Sequence, residues 1–165
     1  MSTHPFTVLI LCTGNSARSI MAEFALNARG AGRFRAFSAG SRPTGAPNPF
    51  AVAQLRAAGI DASGARSKSW DEFAGPDAPA LDLVVTLCDS TASETCPYWP
   101  GAPLTVHWGL PDPAAATGSD AEIAQAFKAA FGVIDRRLSA LCVLPSLDVR
   151  DPQVKRALQQ IGAIT

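Results

Sequence analysis

The sequence predicts an α/β fold of three layers, a four-stranded parallel sheet with helices on both faces. Three observations predict it. Two strongly apolar runs, FTVLIL at 6–11 and LDLVVTL at 81–87, have the continuous hydrophobicity of strands buried on both faces. Segments of helical period alternate with the strand-like runs along the chain. Both apolar runs end directly on a cysteine, which sets Cys12 and Cys88 at the carboxyl edge of the sheet, where such folds bind ligands.

Taken in order, residues 6–11 form the first strand. The helix expected over 18–29 carries Ile20, Phe24 and Ala28 at helical spacing and ends near Gly30. Residues 33–38 alternate as a short strand that runs into Ala39 and Gly40, and a Pro- and Gly-rich loop follows. Asn48 caps a helix with Pro49 in its first turn, which continues through Val52 and Leu55 to Gly59. Residues 69–73 add a short helical turn. Beyond 81–87, Pro- and Gly-punctuated sequence leads to a last strand at 104–108. From 119 to 141 the period is helical again, with Ile123, Phe127, Phe131, Ile134 and Leu138 on one stripe. Asp151-Pro152 opens a final short helix over 154–161. One domain is expected over 1–165, with 143–165 as a C-terminal extension, because the Pro/Gly loops are too short for linkers.

The hydrophobic fraction of 47% and charged fraction of 17% are those of a globular protein. Fourteen basic and fourteen acidic residues cancel formally, which argues against nucleic acid or a membrane surface as partner and leaves room for a local positive pocket. No apolar run approaches the ~18 residues of a membrane span. The first seven residues lack a basic, cleavable leader, so a cytoplasmic location is expected. Cys12, Cys88, Cys96 and Cys142 are too dispersed for a disulfide scaffold, and each has to be judged by its surroundings.

The stretch CTGNSARS at 12–19 joins the first strand to the first helix. Gly14 and Asn15 tolerate left-handed backbone angles, so the loop can curl with its N–H groups inward. Thr13, Gly14, Asn15, Ser16 and Ala17 then form an anion cradle beside a helix N-terminus. Arg18 adds a planar fork matched to two oxygens of a tetrahedral oxyanion. The same field stabilises a thiolate at Cys12, to which Ser19 can donate a hydrogen bond. The bland alternative is an inert buried Cys12 and an exposed Arg18 cap. Strand, small-residue loop and helix in this order, with serine after the arginine, favour a nucleophile at the base of an anion site.

This loop resembles the phosphate-binding loop of the low-molecular-weight tyrosine phosphatase fold, flavodoxin-like in layout, and specifically its arsenate reductase branch. SAGS at 38–41, VVTLCD at 84–89, CPYWPG at 96–101 and HWGLPDPA at 107–114 resemble that branch in the same order, so the likeness spans 7–141. It implies reduction of arsenate to arsenite, with Cys12 attacking arsenic and phosphate or sulfate competing for the cradle. It also implies that Asp112 protonates the departing oxygen, whereas Asp112-Pro113 read alone is a turn.

Cys88 and Cys96, with seven residues between them, read alone as a strand-end core cysteine and a loop cysteine. Their spacing lacks a zinc knuckle, and the only histidines are His4 and His107. The resemblance implies instead a thiol relay: Cys88 attacks Cys12, and Cys96 then attacks Cys88. Thioredoxin or a glutathione/glutaredoxin system is the implied external reductant, and no bound cofactor is needed. A tyrosine phosphatase, the competing reading, would share Cys12 and Asp112 but has no use for the pair. The chain departs from the family in two places. The 88–96 interval is one residue longer than in thioredoxin-coupled members. Arg66 and Lys68 stand in DASGARSKS where some relatives place oxygen ligands of a potassium ion, so Lys68 is expected to supply the charge and no metal is expected. Cys142 reads as core packing among Leu138, Leu141 and Leu144. Trp99 is a candidate for the pocket mouth.

Overall fold

The computed structural model describes residues 4–89 and 97–165. Strands β1 (Phe6–Leu11), β2 (Phe34–Ala39), β3 (Leu83–Thr86) and β4 (Leu104–His107) form one parallel sheet in the order β2-β1-β3-β4. The chain thus starts in the middle of the sheet, adds β2 on one side, and crosses back to place β3 on the other. That reversal opens a crevice at the carboxyl ends of β1 and β3. Leu11 lies opposite Thr86, and the Leu87 N–H donates to the Leu11 carbonyl at 2.9 Å. Cys12 and Cys88 therefore leave neighbouring strands, about 4.8 Å apart, into the same crevice.

Alternation along β1 divides the core. Val8 and Ile10 join a large cluster with α1 (Arg18–Arg29), α2 (Pro49–Ala57), α3 (Asp120–Cys142) and α4 (Pro152–Ile161). Leu9 and Leu11 point the other way, to Phe73, Leu81, Val84 and Trp99. Both faces of β1 are buried, as its unbroken apolar run requires. The faces are covered unequally: among the described residues, the second cluster is closed by a 3-10 turn at Trp70–Phe73 and by Trp99. Leu26, Leu138 and Leu141 are fully buried, and each such side chain stabilises the fold by about 2 kcal/mol.

The helix starts follow their caps. Asn48 accepts from the Phe50 N–H ahead of α2, Asp151 accepts from Gln153 ahead of α4, and Ser119 with Glu122 forms a reciprocal capping box on α3. The Phe127, Ile134 and Leu138 stripe of α3 is buried, while Ile123 and Phe131 are only partly so. β3 is shorter than 81–87. The Leu81 N–H bonds the Pro100 carbonyl, and the Asp82 carboxylate takes the Thr7 N–H at 2.8 Å, so the ladder begins at Leu83.

The expectation for Trp99 is corrected. Trp99 is 7% exposed and meets Trp70 edge to face at 6.1 Å, so it fills the second cluster rather than the pocket mouth. An indole has too much apolar area to stay at a wet rim when a core site is open to it. Cys142, half-buried at the end of α3, packs against the main core cluster with Leu144, in keeping with its expected packing role, and burial pushes its thiol above the ordinary pKa.

Candidate active site

The 12–19 loop has the shape of an anion cradle. Asn15 takes a left-handed backbone with φ of 44°. The carbonyls of Thr13, Gly14 and Ser16 accept from the N–H groups of Arg42, Thr44 and Asn48 at 2.8–3.0 Å, and Ser67 adds a second bond to Gly14. Across a trans peptide the next N–H is antiparallel to the carbonyl. The N–H groups of Gly14, Asn15 and Ala17 are therefore directed away from the 42–48 segment. Ala17 begins α1 without a side-chain cap, and no acidic residue stands in the first turn. This leaves helix N–H donors and the positive dipole end for an anion. Gly40 closes against the back of the loop: a Cβ there would lie 2.4 Å from the Thr13 carbonyl oxygen and 2.9 Å from that of Cys12.

Cys12 is 3% exposed, and its Sγ lies 2.8 Å from Ser19 Oγ. The direction of that bond follows from Asn15. Its amide donates to both Ser19 Oγ (2.8 Å) and Ser38 Oγ (2.9 Å), and its Oδ1 accepts from the Lys68 N–H at 3.0 Å. Ser19 already accepts from Asn15, so its own proton is left for the sulfur.

The Arg18 side chain is 12% exposed. Nη1 donates to the Leu110 carbonyl at 2.8 Å, and Nη2 lies 3.8 Å from Asp112 Oδ2. Asp112 serves two ends at once. Oδ1 caps the 3-10 turn Pro113–Ala115 through the Ala114 N–H at 3.0 Å, while Oδ2 faces Arg18. An open pocket is lined by Arg18, Leu87, Cys88, Asp89, Leu110 and Asp112. Cys88 Sγ lies 3.2 Å from Thr13 Oγ1, which ties the second cysteine to the cradle. Cys12, Arg18, Cys88 and Asp112 thus converge with the 13–19 loop; Cys96 lies outside the described residues.

The family model described as low molecular weight phosphotyrosine protein phosphatase matches residues 7–159. The chain belongs to this family. Within it, the chain is 40% identical to the arsenate reductase of Bacillus licheniformis over 117 residues, 70% of this chain and 80% of the relative. It is 39% identical to that of Halalkalibacterium halodurans, over 79% of this chain and 91% of the relative. Among solved structures, an arsenate reductase in the phosphate binding state superposes with a TM-score of 0.67 at 28% identity, covering 82% of this chain and 95% of the other.

Behind this phosphatase-family cradle lies a buried charge. Lys68 is 7% exposed, with Nζ 3.5 Å from both Glu23 Oε1 and Ser38 Oγ and 3.2 Å from the Arg66 carbonyl. Ser38 in turn donates to Glu23. The Arg66 side chain turns outward to a two-point pair with Glu72. An ammonium already sits among the oxygens that a monovalent cation would need, so these residues do not fit a potassium ion. Burial holds the Lys68 pKa below its ordinary 10.5, partly offset by Glu23.

Removing the charge while keeping the stem, as in Lys68→Met, leaves the part-buried Glu23 with its Ser38 hydrogen bond but without its ammonium partner. A loss of about 3 kcal/mol in urea unfolding at pH 7 is expected. A pH dependence accompanies it. Between the lowered folded pKa and 10.5 the unfolded chain binds more protons at Lys68, so wild-type stability rises with pH across that window, and the variant lacks the rise. A variant as stable as wild type at pH 7 would show that the ammonium is incidental to the cradle.

Sequence reasoning did not reach Glu23, Ser67 or the internal role of Asn15. Glu23 looks like any solvent-facing helix residue, and nothing local marks its pairing with residue 68. A weak signal existed in SAGS, whose small residues permit the close packing of Ser38 and Gly40 on the loop. His107, noted only for zinc, bridges Thr86 Oγ1 (2.8 Å) and Asp89 Oδ1 (3.0 Å), anchoring the residue that follows Cys88.

Proposed function

We propose that this chain is an arsenate reductase whose electrons come from its own thiols. The observation that carries the reading is the second cysteine: Cys88 lines a pocket together with Arg18 and Asp112 and is hydrogen-bonded to Thr13 of the loop. Phosphoester hydrolysis needs no thiol there. Arsenate enters the Thr13–Arg18 cradle, with phosphate and sulfate as competing oxyanions, and the Cys12 thiolate attacks arsenic(V). One arsenate oxygen leaves as water on a proton from Asp112. Cys88 then attacks Cys12 Sγ; the As–S electron pair goes to arsenic, arsenite departs as arsenic(III), and a Cys12–Cys88 disulfide remains. Cys96 attacks Cys88 and frees Cys12. The resulting Cys88–Cys96 disulfide is reduced by an external thiol reductant, thioredoxin or glutathione/glutaredoxin, in the cytoplasm. No bound cofactor or metal takes part.

Arsenate-dependent NADPH oxidation tests the reaction, run once with thioredoxin and once with glutathione plus glutaredoxin. Hydrolysis of an aryl phosphate without any arsenate reduction would identify a phosphatase instead. The relay is read from two variants. Cys96→Ser is expected to release one arsenite per chain and stop with Cys12 and Cys88 joined, whereas Cys88→Ser fails before release. Mass spectrometry of alkylated peptides after one arsenate exposure shows which cysteines are paired. Wild-type steady turnover of Cys96→Ser with thioredoxin would remove Cys96 from the relay.

A further inference from the structure

Arg137 is a buried cation that the proposed chemistry does not use. It lies in α3 at 4% exposure, and among the described residues its guanidinium donates to four backbone carbonyls. Nη1 reaches Trp108 O at 2.7 Å, Nη2 reaches Gly109 O and Gly162 O at 3.0 Å each, and Nε reaches Ile164 O at 2.9 Å. Two of these acceptors lie in the segment that leaves β4 toward Asp112. The other two lie just beyond α4. The next carbonyl in the first segment, Leu110 O, is taken by Arg18 of the anion site. Three consecutive carbonyls, 108 to 110, are therefore held by two arginines, one structural and one in the cradle.

The segment after α3 reinforces the arrangement. Trp108 is 3% exposed and its indole N–H donates to Leu158 O of α4 at 2.8 Å. Gly162 lies against the same strand end: a Cβ there would stand 2.8 Å from Trp108 Cδ1 and 2.9 Å from the His107 carbonyl oxygen. From Leu110 the chain runs through Pro111, Asp112 and Pro113, and the two fixed proline φ angles carry the orientation set at 108–110 into the carboxylate. Buried carbonyls left without donors are costly, so the guanidinium has a strong preference for this one geometry.

We infer that Arg137, together with the 152–164 segment it ties down, is a positioning brace that holds the Asp112 loop against Arg18 and the cradle. This rests on the reading of Asp112 as the acid. The brace touches no substrate and acts through the path of residues 108–112.

Gly162→Ala is the probe that leaves the guanidinium itself in place: Gly162 has a φ of −61° that alanine adopts freely, and the added methyl wedges the tail from Trp108 and the His107 carbonyl. Arsenite release in a single turnover is measured for wild type, Gly162→Ala, Asp112→Ala and the double variant, with thermal midpoints alongside. Gly162→Ala alone is expected to slow release about fivefold, and to slow Asp112→Ala by less than about twofold, the non-additivity of two changes on one path. Equal slowing in both backgrounds, or no slowing at all, overturns the brace. A wild-type rate in Asp112→Ala alone overturns the acid reading itself, and is told apart because it needs no change at Gly162. Should Gly162→Ala fail to fold, Trp108→Phe, which deletes the indole donor to Leu158, runs the same cycle.

Discussion

Cys12→Ser is expected to abolish arsenate reduction, with release falling by about three orders of magnitude, which is about 4 kcal/mol of barrier. The hydroxyl matches the thiol in hydrogen bonding to Ser19, 2.8 Å away, but is a far weaker nucleophile at neutral pH. The fold and the cradle should survive. The loop's carbonyls are held by Arg42, Thr44 and Asn48, none of which senses the sulfur. Phosphate or sulfate should therefore still raise the variant's thermal midpoint, since an anion that binds only the folded state stabilises it by mass action. Activity above about one tenth of wild type would exclude Cys12 as the nucleophile. Loss of both activity and anion protection would point to a collapsed loop rather than a missing nucleophile.

Arg18→Lys should be nearly as damaging as Arg18→Ala. The guanidinium spends Nη1 on the Leu110 carbonyl and keeps Nη2 on the pocket side near Asp112. A single ammonium cannot hold that carbonyl and also present a planar fork to two oxyanion oxygens. Phosphate affinity, measured by calorimetry, is expected to fall about 30-fold or more in both variants, in line with about 2 kcal/mol for a charge-assisted contact. Near-normal kinetics in Arg18→Lys would reduce the arginine to a loop anchor and leave the backbone N–H groups as the whole cradle.

Local sequence carried much of this molecule. Residues 6–11 are so uniformly apolar that only a strand buried on both sides can use them, and β1 is that strand. Asn48-Pro49, Ser119 with Glu122, and Asp151-Pro152 state their helix starts in four residues or fewer, because a cap is satisfied within one turn. The 12–19 loop is equally self-contained: its small residues, arginine and serine act within one strand-to-helix connection. Strand ends were less legible. At the start of β3 the Asp82 carboxylate takes the Thr7 N–H, a contact between distant segments that the apolar pattern of 81–87 does not encode.

By itself, then, the sequence determined the α/β class, the order of the elements and the strand-to-helix loop at 12–19, since each depends on periodicity or chemistry within a few neighbouring residues. Tertiary structure alone decided what converges on that loop. The β1–β3 register brings Cys88 beside Thr13; the packing of α1 with β2 and the 66–68 segment buries Lys68 against Glu23; the meeting of α3 with the ends of β4 and α4 gives Arg137 its carbonyls at 108, 109, 162 and 164. Each of these is a polar pair separated by tens of residues. Its formation depends on the hydrophobic faces closing first, because a buried charge or carbonyl finds its partner only where packing has put one within about 3 Å.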